Sequence, residues 1–229
     1  MQTKKISEIE EMFAQMETNG LADNYREYVE LKGKIVTNNL IEAPFSNRKV
    51  AYCEAKLNQI TETQEQYRDS NGNIRTRINK AEIPISDEKS SQEVYMSDGS
   101  TNKPIVLELN STGCQLDIPK TFDRFENKNN LSHYRYFNTF NWNRFGAETL
   151  GFKMTENTID ENQNLYVIGE AYKVGNTLHI GTPQDNKKPF IITTKTEEEM
   201  VNNTNKNANF ALFGGIIAII VGIIMFFAK

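Results

Sequence analysis

Leu165-Tyr166-Val167-Ile168-Gly169-Glu170-Ala171-Tyr172, then Gly175-Asn176, then Thr177-Leu178-His179-Ile180, is the stretch that decides the fold class. Two runs of β-forming residues around a Gly-Asn turn read as strands. Downstream, Phe190 to Thr194 is another strand, and upstream lies Leu150 to Thr155. Further back are Ile105 to Leu109 and Cys114 to Ile118, joined at Ser111-Thr112-Gly113, and before them Glu93 to Met96. Gln64 to Arg68 and Ile74 to Ile78 flank Ser70-Asn71-Gly72-Asn73, where Asn-Gly suits turn positions of positive φ, so a charged, solvated hairpin is expected. Val50 to Leu57 and Tyr28 to Val36 complete the set. Many short strands separated by turn signals point to a mainly β, barrel- or sandwich-like domain. No repeat and no Pro/Gly-rich linker interrupts it, so residues 25–195 read as one β-rich domain.

The two ends differ from this middle. Ile6, Ile9, Phe13 and Met16 recur at helical spacing, Ser7 with Glu10 fits a capping box, and Gly20 is a stop. Residues 1–24 are therefore expected to form a helical segment, packed on the domain because its polar side is acidic. At the other end no charge falls between Asn207 and Ala228, with Lys206 and Lys229 as brackets. A bilayer core needs roughly 20 helical residues, so 207–229 is expected to be one transmembrane helix, a tail anchor. Residues 196–206 read as a helical or polar linker, with Thr196 as cap and Glu197 to Glu199 at the positive end of the helix dipole. Gly214, Ala218 and Gly222 fall four apart on one face, the small-residue spacing that lets two membrane helices pack.

The N-terminus shows no signal-peptide pattern, since carboxylates interrupt its apolar residues. Lys195 and Lys206 precede the apolar segment and Lys229 follows it. Both features place the β-rich domain on the cytoplasmic side in this reading. Two cysteines, Cys53 and Cys114, make no disulfide framework, and reduced thiols are expected. Asn110, Asn130 and Asn202 open glycosylation-type triplets, which matter only in an exported domain.

Chemistry is excluded mainly by inventory. The sequence has two Cys and two His, no Cys-x-x-Cys, no Gly-rich phosphate loop, no Gly-x-Ser-x-Gly and no His-Glu-x-x-His. No catalytic residue, metal ligand or cofactor site is expected. In the aromatic-rich stretch Phe122 to Phe145, Tyr134, Tyr136, Phe140 and Trp142 share one face of a strand, with Arg124, Arg135 and Arg144 nearby. Three readings compete there: an aromatic core, a membrane or protein contact, and a platform for single-stranded nucleic acid. A net charge of −4 works against the last.

Several stretches, in order, carry a resemblance. Leu31-Lys32-Gly33-Lys34-Ile35 leads to Ile41-Glu42-Ala43-Pro44-Phe45-Ser46. Thr149-Leu150-Gly151-Phe152-Lys153-Met154-Thr155-Glu156 precedes Leu165 to Ala171. Lys188-Pro189-Phe190-Ile191-Ile192-Thr193 precedes Glu197-Glu198-Glu199-Met200 and the apolar tail. This ordered set resembles the GIDE domain, also called BAM for "beside a membrane", over most of residues 28–228. The resemblance implies kinship with the mitochondrial outer-membrane RING ubiquitin ligases and with prokaryotic proteins sharing the domain.

Departures limit what is carried over. The ligases have a RING after a second membrane helix, and relatives usually have a membrane helix before the domain. Here Lys4 to Asn19 is too charged for one, and the place of a Cys-Val-Tyr-Tyr-like run reads Val50-Ala51-Tyr52-Cys53. The expectation is a prokaryotic-type member without the RING, acting as a non-catalytic scaffold or sensor at the membrane. The alternatives are a ligase-like protein by lineage and a single-strand binder. Expected partners are the lipid bilayer, an unidentified protein and a second copy through the membrane helix. Within the motifs, Gly33, Gly151 and Gly169 suit bulges or close backbone approach. Glu156 and Glu170 are candidates for paired carboxylates or for structural salt bridges.

Overall fold

The computed structural model describes residues 2–21, 24–133, 148–195 and 199. Helix α1 spans Ile6–Thr18. The strands follow as β1 Glu27–Val36, β2 Ile41–Glu42, β3 Lys49–Val50, β4 Tyr52–Arg68, β5 Ile74–Lys89, β6 Val94–Ser97 and β7 Ile105–Leu107. Then come β8 Cys114–Asp117, β9 Lys120–Asn127, β10 Glu148–Ile159, β11 Asn164–Val174, β12 Thr177–Gly181 and β13 Phe190–Thr193. A short 3-10 helix covers Lys128–His133. The mainly β class and the N-terminal helix agree with the sequence reading. Residues 207–229, with Gly214, Ala218 and Gly222, lie outside the described residues, as do Tyr134 to Trp142 and Thr196 to Glu198. Among the described residues no helix is long and apolar enough to cross a membrane.

The chain forms two compact units. Of the described residues, the first takes those within 2–39, 91–118 and 159–199; the second takes those within 40–90, 119–133 and 148–158. The β-rich region thus holds two bodies without a linker of distinct composition. The chain leaves the first unit after β1, returns at β6, leaves again after β8 and returns at the end of β10.

In the first unit β1, β6, β7, β12 and β11 are hydrogen-bonded in that order, and a β1–β11 pairing closes the ring. All neighbours are antiparallel except β12 and β7. Numbered by position among these strands, the order is 1-2-3-5-4-1, that of the OB-type Greek-key barrel. Alternation drives closure: Val29, Leu31 and Ile35 of β1 are fully buried, as are Met96, Ile105, Val167, Ala171 and Ile180. Beyond the ring, β13 joins β11 and β8 joins β13, both by short ladders.

Helix α1 buries Ile6, Ile9 and Phe13, the apolar residues its spacing picks out. Its N-terminus is held differently from the expected Ser7–Glu10 box. The Ile6 N–H donates to Asp98 Oδ2 at 2.8 Å, the Ser7 N–H donates to Ser100 Oγ at 3.0 Å, and Lys5 N–H reaches Glu8. Asp98 and Ser100 lie about ninety residues along the chain, so a distant loop supplies most of the cap. Gly20, at φ 71°, ends the helix as its sequence position suggests.

The second unit is a sheet in the order β5-β4-β10-β9, with β2 and β3 forming a small separate hairpin. Its core holds Ala43, Phe45, Val50, Cys53, Ala55, Leu57, Leu131, Phe152 and Met154. β4 alternates between buried and partly exposed as far as Thr61, after which both β4 and its partner β5 are exposed. The hairpin predicted at Gln64 to Ile78 is therefore the distal part of a much longer ribbon.

Candidate functional site

The motif residues assemble in two places. In the first unit β11 brings Gly169 to the point where its edge partner changes, from β13 at Tyr166 to Ile168 to β12 at Glu170 to Val174. A Cβ on Gly169 would lie 2.7 Å from the Phe190 ring and 3.0 Å from the Gly181 carbonyl oxygen, so the buried Phe190 ring needs a glycine there. Gly33 is likewise a close approach, with Ser97 O and Met96 Cγ inside 3 Å of its would-be Cβ. The Pro189 carbonyl accepts from the Tyr28 hydroxyl at 2.9 Å, and burial pushes that phenol up to about 12.

Glu170 continues this set outward. Its Oε2 accepts the Gln184 N–H at 2.7 Å and lies 3.5 Å from an Arg26 guanidinium nitrogen. Arg26 stacks 4.3 Å over the Tyr172 ring, and Tyr172 stacks on His179 at 5.8 Å, its directly opposite partner across the β11–β12 ladder. The Tyr172 hydroxyl donates to Glu108 Oε1, and burial with that contact pushes the phenol upward. His179 Nδ1 is buried and 3.4 Å from the same Glu108 oxygen, but the pair makes no hydrogen bond. Arg26 faces both a carboxylate and a ring, so the cluster ties strands together. Sequence inspection singled out Glu170 but not Arg26, Glu108 or Tyr172, and weighed His179 only as a base for a cysteine, a role it set aside. The register about Gly175-Asn176 is the signal that pairs Tyr172 with His179.

In the second unit the turn between β2 and β3 meets Glu156 of β10. The Ala43 N–H donates to the Arg48 carbonyl at 2.9 Å and the Asn47 N–H to the Ala43 carbonyl at 3.0 Å, with Asn47 at φ 56°. Phe45 and Ser46 then point their N–H groups at Glu156 Oε1, at 2.6 and 3.2 Å. So Ala43, Pro44 and Ser46 build a turn that a fully buried carboxylate caps. Glu156 Oε2 and Ser46 Oγ are buried without a hydrogen-bond partner. Burial, then the charges of Glu156 and Glu54, push the Cys53 thiol up to about 12, which makes it a poor nucleophile. A Cβ on Gly151 would sit 2.2 Å from the Glu126 carbonyl oxygen across the β9–β10 ladder. Glu156 and Glu170 are each engaged by backbone N–H groups of their own unit.

The remaining feature is the ribbon. Asp69 caps its turn by accepting the N–H groups of Asn71 and Asn73 and the Arg75 side chain. Arg77 lies 5.8 Å over the Tyr67 ring. Among the described residues no group of three His, Cys, Asp or Glu side chains is placed to hold a metal.

A family model described as GIDE, E3 ubiquitin ligase, matches residues 62–226, more than half of the chain. The chain belongs to the GIDE family. The match begins within β4 and takes in Gly151, Glu156, Gly169, Glu170, Pro189 and Phe190, while Gly33, Ala43, Pro44 and Ser46 precede it. No curated protein and no solved structure matches the chain.

Proposed function

We propose that this chain is a membrane-tethered, non-catalytic interaction module of the GIDE family. The observation that carries this is the inventory inside a shown family membership. The family description points to an E3 ubiquitin ligase lineage, yet these 229 residues hold two Cys and two His, too few for the zinc sites of a RING. The buried thiol of Cys53, held well above neutral, supports the same reading. The uncharged stretch from Asn207 to Ala228 supports the tether, and the spacing of Gly214, Ala218 and Gly222 supports pairing of two copies in the bilayer. The prokaryotic-type assignment and the cytoplasmic placement of both units belong to this same proposal.

The test has two arms. Full-length protein should stay with membranes through carbonate and high salt, because an apolar tether is not screened. Purified, it should carry no stoichiometric zinc and promote no ubiquitin transfer. Zinc by elemental analysis, or transfer that survives repurification, overturns the non-catalytic reading; release by salt overturns the tether.

The OB-type strand order favours a second reading, binding of single-stranded nucleic acid. Its electrostatics are weak: Lys4, Arg26, Lys173 and Lys195 of the first unit pair with Glu27, Glu170, Glu17 and Asp117. Steep salt dependence of oligonucleotide binding would promote it over the scaffold reading.

A further inference from the structure

The β4–β5 ribbon extends past the core of its unit as two exposed strands, and its faces differ. Directly opposed residues of an antiparallel pair share a face. Arg68 opposes Ile74, Gln66 opposes Thr76, and Gln64 opposes Ile78. Ile74 and Ile78 are 65% and 57% exposed. This face therefore presents two isoleucines among amides, a threonine and an arginine, with no carboxylate as far as Gln64 and Ile78. Lys80 follows, opposite Glu62. The other face carries Tyr67, Arg75, Arg77 and Glu65. From residue 64 to 80 four cations stand against two carboxylates in a chain of net charge −4. One of those two carboxylates, Asp69, is committed to the turn.

We infer that the distal ribbon lays its Ile74–Ile78 face on an anionic lipid surface. Charge complementarity selects the occupant: Arg68 and Lys80, the two cations on this face, suit acidic headgroups, and the isoleucines between them enter the headgroup boundary. Another strand is a poor occupant of this edge. β5 carries Arg75, Arg77, Lys80, Glu82 and Pro84, the devices that discourage edge-to-edge pairing. Two isoleucines make a weak contact in free solution. Tethering raises the effective lipid concentration and makes a weak contact sufficient, so the inference rests on the tether proposed above.

The experiment uses the full chain, reconstituted in vesicles of neutral lipid or of neutral lipid with phosphatidylserine. Ile74→Trp reports the ribbon by difference from the parent, which carries Trp142. Carbonate extraction reports the tether separately. The expected result is a blue-shifted emission, quenched by lipid-borne bromine, in the anionic vesicles. Combining Ile74→Trp with Arg68→Gln and Lys80→Gln should weaken this contact roughly fivefold per cation removed. A protein that resists carbonate while the new tryptophan stays in water overturns the ribbon inference and leaves the tether standing. A protein that carbonate extracts, yet whose tryptophan shifts in anionic vesicles, upholds the ribbon and overturns the tether. A shift that follows protein density and ignores lipid charge assigns the face to a second copy and overturns the inference.

Discussion

In the barrel, β11 is hydrogen-bonded to β1 along one edge and to β13 and then β12 along the other. In the second unit, β5 is bonded along one edge to β4 and ends the sheet. Both strands are long, but their burial differs. β11 is buried continuously from Leu165 to Gly169, whereas β5 is exposed along most of its length. Closure removes edges, and a strand covered on both faces carries apolar residues at consecutive positions. An open ribbon must instead protect its edge with charge and proline. The barrel thus buries its strands, and the ribbon leaves its strands exposed. That division can be tested site by site.

Phe190 carries the largest expected effect. Its ring is 1% exposed and fills the space beside Gly169 where β11 changes partner. Phe190→Ala should cost about 3–5 kcal/mol, the range for removing a buried aromatic ring. Denaturant unfolding of the full chain in detergent measures it. A loss under about 1 kcal/mol, the ordinary scale of a point mutation, would mean that the partner switch collapses easily and that the barrel is not the stability centre.

Gly151→Ala probes the sheet of the second unit. The new methyl would meet a backbone carbonyl, which cannot rotate away like a side chain. Overpacking of this kind costs about 1–3 kcal/mol. Because β9 and β10 are paired from Gly151 to Asn157, the damage should appear as faster amide exchange along β9. Exchange that stays unchanged there would show that β9 relaxes as a rigid unit.

Glu156 comes next. Glu156→Ala leaves the Phe45 and Ser46 N–H groups without their acceptor, at a cost of about 1–3 kcal/mol. Glu156→Gln keeps an acceptor and should restore most of that. Equal damage from both would show that the charge matters and not the cap. Cys53 supplies a second readout. In the folded chain its thiol is held above the ordinary value of 9.0, at about 12. The stability this contributes is fully present below about pH 9 and is lost as pH rises from there towards 12. At pH 8 Cys53 should resist thiol reagents in the parent and react faster in Glu156→Ala.

What the sequence made legible was local. The strands around Gly175-Asn176, the helix ended by Gly20 and the Asn71-Gly72 turn follow from neighbours a few residues apart. Ring closure did not, because β1 meets β11 across more than a hundred residues and no local pattern records it. The ribbon's length was hidden for a different reason. The distal strands Gln64 to Arg68 and Ile74 to Ile78 were legible, but their join to the core was not, because the buried positions Gln59 and Thr61 are polar and break the apolar alternation between Leu57 and Gln64. The capping role of Glu156 was hidden as well, since its turn lies in another part of the chain. Ala43, Pro44, Ser46 and Glu156 stood out as motif residues without showing that they touch. The helix cap went to Asp98 and Ser100 for the same reason.

The smallest expected effect falls on the ribbon, and it is the most informative about the division of roles. Ile74→Ser with Ile78→Ser removes two exposed aliphatic side chains from a segment outside the core. Exposed substitutions away from caps, cavities and buried networks usually change stability by no more than about 0.5 kcal/mol. For a chain of this size that is a shift of roughly 2 °C or less in Tm. Differential scanning fluorimetry in detergent, without lipid, should therefore barely separate the double variant from the parent. In vesicles containing phosphatidylserine the parent alone should gain protection of the ribbon from protease, since removing the isoleucines removes the lipid contact. A Tm drop of several degrees in detergent would show that the isoleucines pack within the protein and would erase the contrast between barrel and ribbon. Equal protease sensitivity of both forms in lipid would leave the ribbon exposed and return it to the role of a solvated hairpin.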